Sequence, residues 1–242
     1  MGDVVPDNDH ASDPAPGRRA VFGGSVHGHW MQLGSVALAV GIYLWRTHGD
    51  ARWPVPAGAA VLCGQALIRA PHARRAVTVA ADDSYVTGTE RALLAAAFVT
   101  MSALPLVYLA TPLFDPLDYR MPMWVAPVGV ALAAAGLWLF GWSHRDLGQQ
   151  WSVTLQIGEH HQLITKGVYG RVRHPMYAAL WLLAISQPLL FQNWIAGPPV
   201  IAGFGLLYVL RVPREEAMMR ATFGDAYAAY CARTGRVVPR LW

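Results

Sequence analysis

The stretch at 123–142, MWVAPVGVALAAAGLWLFGW, decides the fold. It carries no charge, and a helix of about 20 residues covers about 30 Å, the thickness of a bilayer's hydrocarbon core. Further apolar stretches run over about 29–45, 54–70, 92–114, 176–191 and 194–211. The one at 92–114 is also long enough to cross. Those at 29–45 and 54–70 are shorter but are flanked by Trp30, Trp45 and Trp53, aromatics suited to the membrane interface. The last two are separated by Gln192, Asn193, Gly197, Pro198 and Pro199, which predicts a helical hairpin with a tight turn and arms of only marginal spanning length.

Composition agrees with this reading. Of 242 residues 54% are hydrophobic and 14% charged, where a soluble domain carries about 25% charged residues. The expectation is an all-α, polytopic integral membrane helix bundle of five to six transmembrane helices, hairpin included, with C-terminal helices on the cytoplasmic side. Net charge is +4, but the basic residues lie between apolar segments and form no dense patch, so a membrane explains them and nucleic acid does not. With six passes, sixteen of the 19 Lys and Arg fall on one side, leaving Arg46, Arg52 and Arg120 opposite. The positive-inside bias then puts both termini and the two long polar stretches in the cytoplasm, with a bacterial inner membrane as the expected setting.

A flexible tail is expected at 1–28, ahead of the apolar segments. The tail holds Asp3, Asp7, Asp9 and Asp13 and no period able to bury a face; acidic residues ahead of any apolar run also exclude a signal peptide. Cys63 and Cys231 are too few for a disulfide framework and lack CxxC spacing, which argues against redox chemistry and thiolate metal binding.

Polar chemistry gathers in two places that flank the hairpin. The hairpin returns the chain to its own side, so residues near 174 and 214 are expected to meet. The first place reads His161-Gln162-Leu163-Ile164-Thr165-Lys166-Gly167-Val168-Tyr169-Gly170-Arg171-Val172-Arg173-His174-Pro175-Met176-Tyr177. Gly167 and Gly170 permit tight turns, and Pro175 fits a first helical position. A helix start offers free N–H groups and positive potential to an anion, reinforced by Arg171, Arg173 and His174. Positive-inside anchoring accounts for the same residues equally well.

The second place, Arg211 to Tyr230, has Pro213 at an expected helix start, Glu215 and Glu216 in the first turn, and an apolar stripe of Met218, Met219, Phe223, Tyr227 and Tyr230. A helix lying on the membrane explains the stripe. It explains the paired glutamates less well, because two carboxylates beside an anionic leaflet call for an offsetting cation, either an arginine or a ligand. Glu216 is expected to face solvent.

The order Arg173-His174-Pro175-x-Tyr177, an apolar hairpin, Glu215-Glu216, Phe223-Gly224, Tyr227, Tyr230 and Arg236-x-x-Pro239, with Leu147-Gly148 and Trp151-Ser152 upstream, resembles the isoprenylcysteine carboxyl methyltransferase family and its phospholipid methyltransferase relatives. The resemblance covers about 123–242 and implies a methyltransferase core at 121–242, with the helices at 29–120 as additions to it. Where the family often has Gly-Pro-Tyr-Arg, this chain has Gly167-Val168-Tyr169-Gly170.

The resemblance implies methyl transfer from S-adenosyl-L-methionine to a lipophilic or small carboxylate, thiol or amine that enters from the bilayer. Cofactor-binding candidates are then Gln162, Leu163, Gly167, Tyr169, Arg173, His174, Pro175, Tyr177, Glu215, Glu216 and Tyr227, with Glu215 and Arg214 as catalytic candidates. The cofactor's sulfonium, ammonium and carboxylate require both signs of charge. The glutamates suit the cationic groups or ribose hydroxyls, Arg173 and His174 the carboxylate, and the tyrosines a cation–π contact. Glu215 suits the base an amine acceptor needs, while Arg214 or Arg211 either steers an anionic acceptor or simply snorkels.

Other chemistry lacks support. His27 and His29, or His160 and His161, have no zinc spacing; Ser143, Ser152 and Ser186 have no nucleophile elbow; and no Gly-x-Gly-x-x-Gly follows a strand. Small residues from Gly129 to Gly141 indicate close helix packing alone. The competing function is an NADPH-dependent reduction of a sterol-like ring, which the two carboxylates disfavour because the dinucleotide carries phosphates. A non-catalytic protein keeping the fold is the third reading.

Overall fold

A computed structural model describes residues 26–48, 52–76, 88–148 and 163–240, whose regular structure is helical, with no strand among the described residues. The helices are α1 (Val26–Arg46), α2 (Pro54–Ala76), α3 (Gly88–Phe98), α4 (Leu104–Ala110), α5 (Val125–Leu147), α6 (Pro175–Phe191) and α7 (Pro199–Arg233). Two helical stretches, Gly88–Ala110 and Val125–Leu147, are long and apolar enough to cross a membrane, and Pro175–Phe191 is a shorter apolar helix. Trp30, Trp45, Trp53, Trp124, Trp138 and Trp194 are exposed on the surface, as interfacial aromatics would be. The expected tail is described only from the start of α1.

The α5–α6 pair forms the centre. A Cβ at Gly136 would stand 2.8 Å from Leu183 Cδ2 and one at Gly129 2.9 Å from Leu189 Cβ, so the glycines of α5 let the two backbones approach. One apolar core joins α1, α2 and α4 around Val36, Tyr43, Val55, Tyr108 and Phe191. A second joins α3, α6 and α7 around Leu93, Ala97, Ala184, Phe204 and Leu207.

Between α3 and α4 the helix widens into a π turn at Val99–Ala103. Its cause is Pro105, which has no N–H and whose ring would press on the carbonyl four residues earlier. Thr100's carbonyl is taken up by Gln187 Nε2 at 2.9 Å, which replaces the helical bond inside an apolar bundle.

The hairpin exists, with a different second arm. Its turn covers Gln192–Pro198, so Trp194 to Pro198 belong to the turn rather than the helix, and Gln192 adopts φ +47°. Pro213 does not begin a helix: α7 passes through it without interruption, and the break in helical geometry falls at Gly224, with φ +49° and ψ −125°. Val212 and Glu216, both buried, hold the segment around Pro213 against its neighbours, and that packing outweighs the proline's local cost of about 3 kcal/mol. The apolar arm and the glutamate segment are thus one rod.

Candidate active site

The rod returns Glu215 and Glu216 to the start of α6, where the chain at 167–174 waits. That chain is shaped from α5. Asp146 accepts a hydrogen bond from the Val168 N–H at 2.8 Å, closing a short 3₁₀ turn at Gly167–Gly170. Gly167 has φ +61°, and a Cβ there would lie 2.0 Å from Asp146 Oδ2, so only glycine fits the turn. Tyr169 is buried behind it, and its carbonyl accepts a 2.6 Å hydrogen bond from the Tyr230 hydroxyl.

The segment after α7 completes the enclosure. The Arg173 N–H donates to the Gly235 carbonyl and the His174 N–H to that of Arg236, each at 2.8 Å, so the two segments lie side by side. Arg173's guanidinium also donates to the carbonyls of Cys231 and Thr234.

Three arginines and a histidine converge on Glu216. Arg236 Nη2 lies 2.8 Å from Oε2; Arg173 Nη2 and His174 Nε2 lie 3.2 and 3.4 Å from Oε1; Arg220 follows at 3.7 Å. Glu216 is 1% exposed, which corrects the expectation of a solvent-facing carboxylate. Apolar surroundings alone would raise its pKa, but the hydrogen bonds from His174 and Arg236 hold it far below the ordinary carboxylate range. In return Glu216 raises the pKa of Arg236. Burial and then the Glu216 charge push the Tyr227 phenol up, and burial pushes Tyr230 up to about 12.

Glu215 is different. It accepts a 2.9 Å hydrogen bond from the Tyr177 hydroxyl, stands 3.8 Å from His174 Nδ1, and keeps 28% of its side chain exposed. His174 therefore bridges the two carboxylates, with its ring edge-on to Tyr177 at 5.6 Å. Pro175 sits buried at the helix start as expected.

Of the residues singled out from sequence, Arg173, His174, Tyr177, Glu215 and Glu216 form one cluster, with Tyr227 within the field of Glu216. Gly167 and Tyr169 shape the loop beside it. Leu163 is half-buried, and Gln162 lies outside the described residues, as do Trp151, Ser152, His160 and His161. Arg214 is exposed and lines a separate cleft with Glu90, Leu93, Leu94, Leu207 and Arg211. Sequence reasoning quoted Arg236 as part of a motif without giving it a role, and it did not single out Asp146 or Glu90. An acid in the first turn of an apolar helix was the available signal for Glu90. Among the described residues no group of three or more potential metal ligands occurs.

Comparison with known proteins agrees with this geometry. The model of the isoprenylcysteine carboxyl methyltransferase family matches residues 129–221, from the core of α5 through the glutamate pair. Protein-S-isoprenylcysteine O-methyltransferase B of Arabidopsis thaliana is 26% identical over 136 residues, covering 55% of this chain and 68% of that one. The Schizosaccharomyces pombe protein-S-isoprenylcysteine O-methyltransferase is 29% identical over 96 residues, covering 39% of this chain and 41% of its own length. The solved structure of a eukaryotic intramembrane Ras methyltransferase superposes with a TM-score of 0.55 over 84% of this chain and 73% of that one, at 19% identity, and so shares the fold. Through the segment that builds its glutamate pair and helix start, the chain is similar to the isoprenylcysteine carboxyl methyltransferase family.

Proposed function

We propose that this chain is an S-adenosyl-L-methionine-dependent membrane methyltransferase whose cofactor site is the cluster at the start of α6, and whose acceptor is a lipophilic carboxylate. The observation that carries this reading is the pairing of one half-exposed carboxylate, Glu215, with a saturated one, Glu216, across His174. In this reading the chain crosses the membrane six times, with both termini and this cluster on the cytoplasmic side, as the concentration of basic residues there favours. Residues 121–242 act as the methyltransferase core and 29–120 as an added helical unit.

The donor set suits the cofactor. Glu215 has one oxygen engaged by Tyr177 and retains acceptor capacity for an ammonium group or ribose hydroxyls. Arg236, half-exposed beside Glu216, and the N–H groups opening α6 suit its carboxylate. Glu216 holds Arg173, His174 and Arg236 in place and does not itself meet the ligand. S-adenosyl-L-methionine supplies the electrophilic methyl group when bound.

The protein's part is to orient and to exclude water. The Tyr177–Glu215 bond fixes one wall, and the Tyr230 and Arg173 bonds to the backbone fix the opposite one. A carboxylate acceptor is already ionised near neutrality and needs no base, so Glu215 serves here as a binding group. The names of the relatives favour that acceptor class over an amine. The reductase alternative is not favoured by the similarity to methyltransferases.

Thermal stabilisation of the detergent-purified chain tests the reading, since a ligand that binds only the folded state raises its midpoint. S-adenosyl-L-methionine and S-adenosylhomocysteine are expected to raise it and NADPH to leave it unchanged. A response to NADPH alone would overturn the proposal.

A further inference from the structure

We infer that Asp146, in the last turn of α5, is a positioning residue for the cofactor cluster: by holding the Val168 N–H it sets the turn that presents Arg173 and His174. This deepens the methyltransferase reading and rests on it for the ligand. An anion in the last turn of a helix faces the negative end of the helix dipole, a disfavoured place, whereas His144 and Arg145 suit that turn. The fold meets Asp146 with a donor. Its Oδ2 accepts the Val168 N–H at 2.8 Å and packs so closely on Gly167 that no Cβ fits between them. The carboxylate thus grips the turn at two consecutive residues.

From Val168 the order passes along the chain. The Val168 carbonyl accepts the N–H groups of Arg171 at 3.2 Å and of Val172 at 3.3 Å. The next two residues, Arg173 and His174, donate their N–H groups to Gly235 and Arg236, and their side chains meet Glu216. Tyr169 ties the same loop to α5 a second time, its hydroxyl lying 3.5 Å from the Ser143 carbonyl. Burial, and then the charge of Glu215, push its phenol up, so it stays protonated and able to donate.

Val168 shows what Asp146 replaces. The Gly-Pro-Tyr-Arg motif of the similar family carries proline at this position, and a 3₁₀ turn runs at a φ of about −50 to −70°, the range a proline ring imposes by itself. Proline offers no N–H, and its ring would enter the space in which Asp146 Oδ2 stands. The two devices therefore exclude one another: a ring that stiffens the turn from within, or a carboxylate that holds it from outside. With valine at 168 this chain uses the second.

That exclusion can be read on the full chain in detergent, by S-adenosylhomocysteine affinity and by amide hydrogen exchange over residues 165–174. Asp146→Ala is expected to weaken the ligand and to speed exchange about tenfold each, the effect of one lost backbone acceptor. Asp146→Asn keeps an oxygen in place and should stay within about threefold of wild type. Val168→Pro alone should weaken binding about tenfold, because its ring meets Asp146. Combining Asp146→Ala with Val168→Pro should return both readouts to within about threefold of wild type, whereas two unrelated lesions would multiply to about a hundredfold. Wild-type affinity and exchange in Asp146→Ala, or a double variant weaker than either single one, overturns the inference. If Asp146→Ala does not fold, recovery of folded, binding protein in the double variant supports the inference and its absence overturns it. The exchange readout uses no ligand, so failure of S-adenosylhomocysteine to bind the wild-type chain bears on the methyltransferase reading alone, and exchange still decides the role of Asp146.

Discussion

The two ends of the helical bundle each carry a polar cluster, and they differ in what their charges hold. At the end holding the hairpin turn, Arg46 meets Asp115 at 2.5 Å and donates to the carbonyls of Tyr108 and Leu109. Arg52 meets Asp118 and Gln192, and Asn193 ties Asp118, the Phe114 carbonyl and the N–H groups of Ile195 and Ala196. These side chains are turned towards one another and towards backbone that helix ends leave unsatisfied. At the other end Glu216 is saturated in the same way, yet Glu215, Arg236 and Arg214 keep capacity facing outwards. Asp115 and Asp118 are as exposed as Glu215, so what separates the clusters is what they hold: the first is a rivet that ties the hairpin turn to the helix ends, and the second sets a carboxylate and an arginine beside a helix start, where a ligand can be held.

The largest expected effect tests the saturated part of the second cluster. Glu216→Ala leaves Arg173 with its carbonyl partners but without its counter-charge, and is expected to lower stability by about 3 kcal/mol or more, read as a fall in the detergent unfolding midpoint. Acid reaches the same loss by titration. The folded-state pKa of Glu216 is depressed, so its contribution is complete above the unfolded carboxylate pKa of about 4.3 and disappears as pH falls towards the folded value. A wild-type midpoint that drops in acid more steeply than that of Glu216→Gln confirms this; parallel curves refute it.

Asn193→Ala comes next. It removes the one oxygen that accepts from the part-buried Ile195 N–H and the buried Ala196 N–H, and a donor to Asp118, and is expected to cost about 2 kcal/mol. The discriminating result is binding: S-adenosylhomocysteine affinity should stay at the wild-type value when measured below the variant's midpoint. A matching loss of affinity would mean that the rivet and the ligand cluster form one coupled unit, and the contrast between them would fail.

The sequence made the meeting of the two clusters' parts legible where covalent order decides geometry. A hairpin with a turn at 192–198 must return its second arm to the start of its first, so His174 and Glu215 had to be neighbours. Pro175 at a helix start followed from its missing N–H. Burial of Glu216 did not follow, because its closest cation, Arg236, sits on the segment beyond α7, and nothing in local spacing says that this segment folds back along Arg173 and His174. Pro213 misled for the complementary reason: local chemistry favours a helix start, while the packing of Val212 and Glu216 carries the helix straight through. Glu90 and Arg211 are brought together by the packing of α3 on α7, which no periodicity in either helix encodes.

The smallest expected effect on stability sharpens the contrast most. Glu215→Gln keeps the shape of the side chain and an oxygen able to accept from Tyr177, so the unfolding midpoint should hold within the range of a surface substitution, about 0.5 kcal/mol. The lost charge should nevertheless weaken S-adenosyl-L-methionine about tenfold, because charge-assisted hydrogen bonds are about twice as strong as neutral ones. The adjacent glutamates would then separate into two roles: Glu216 carries stability through cations already bound, and Glu215 carries affinity through charge held in reserve. If Glu215→Gln lowered the midpoint as far as Glu216→Ala while leaving affinity intact, both carboxylates would be rivets and the ligand site would have to be sought elsewhere.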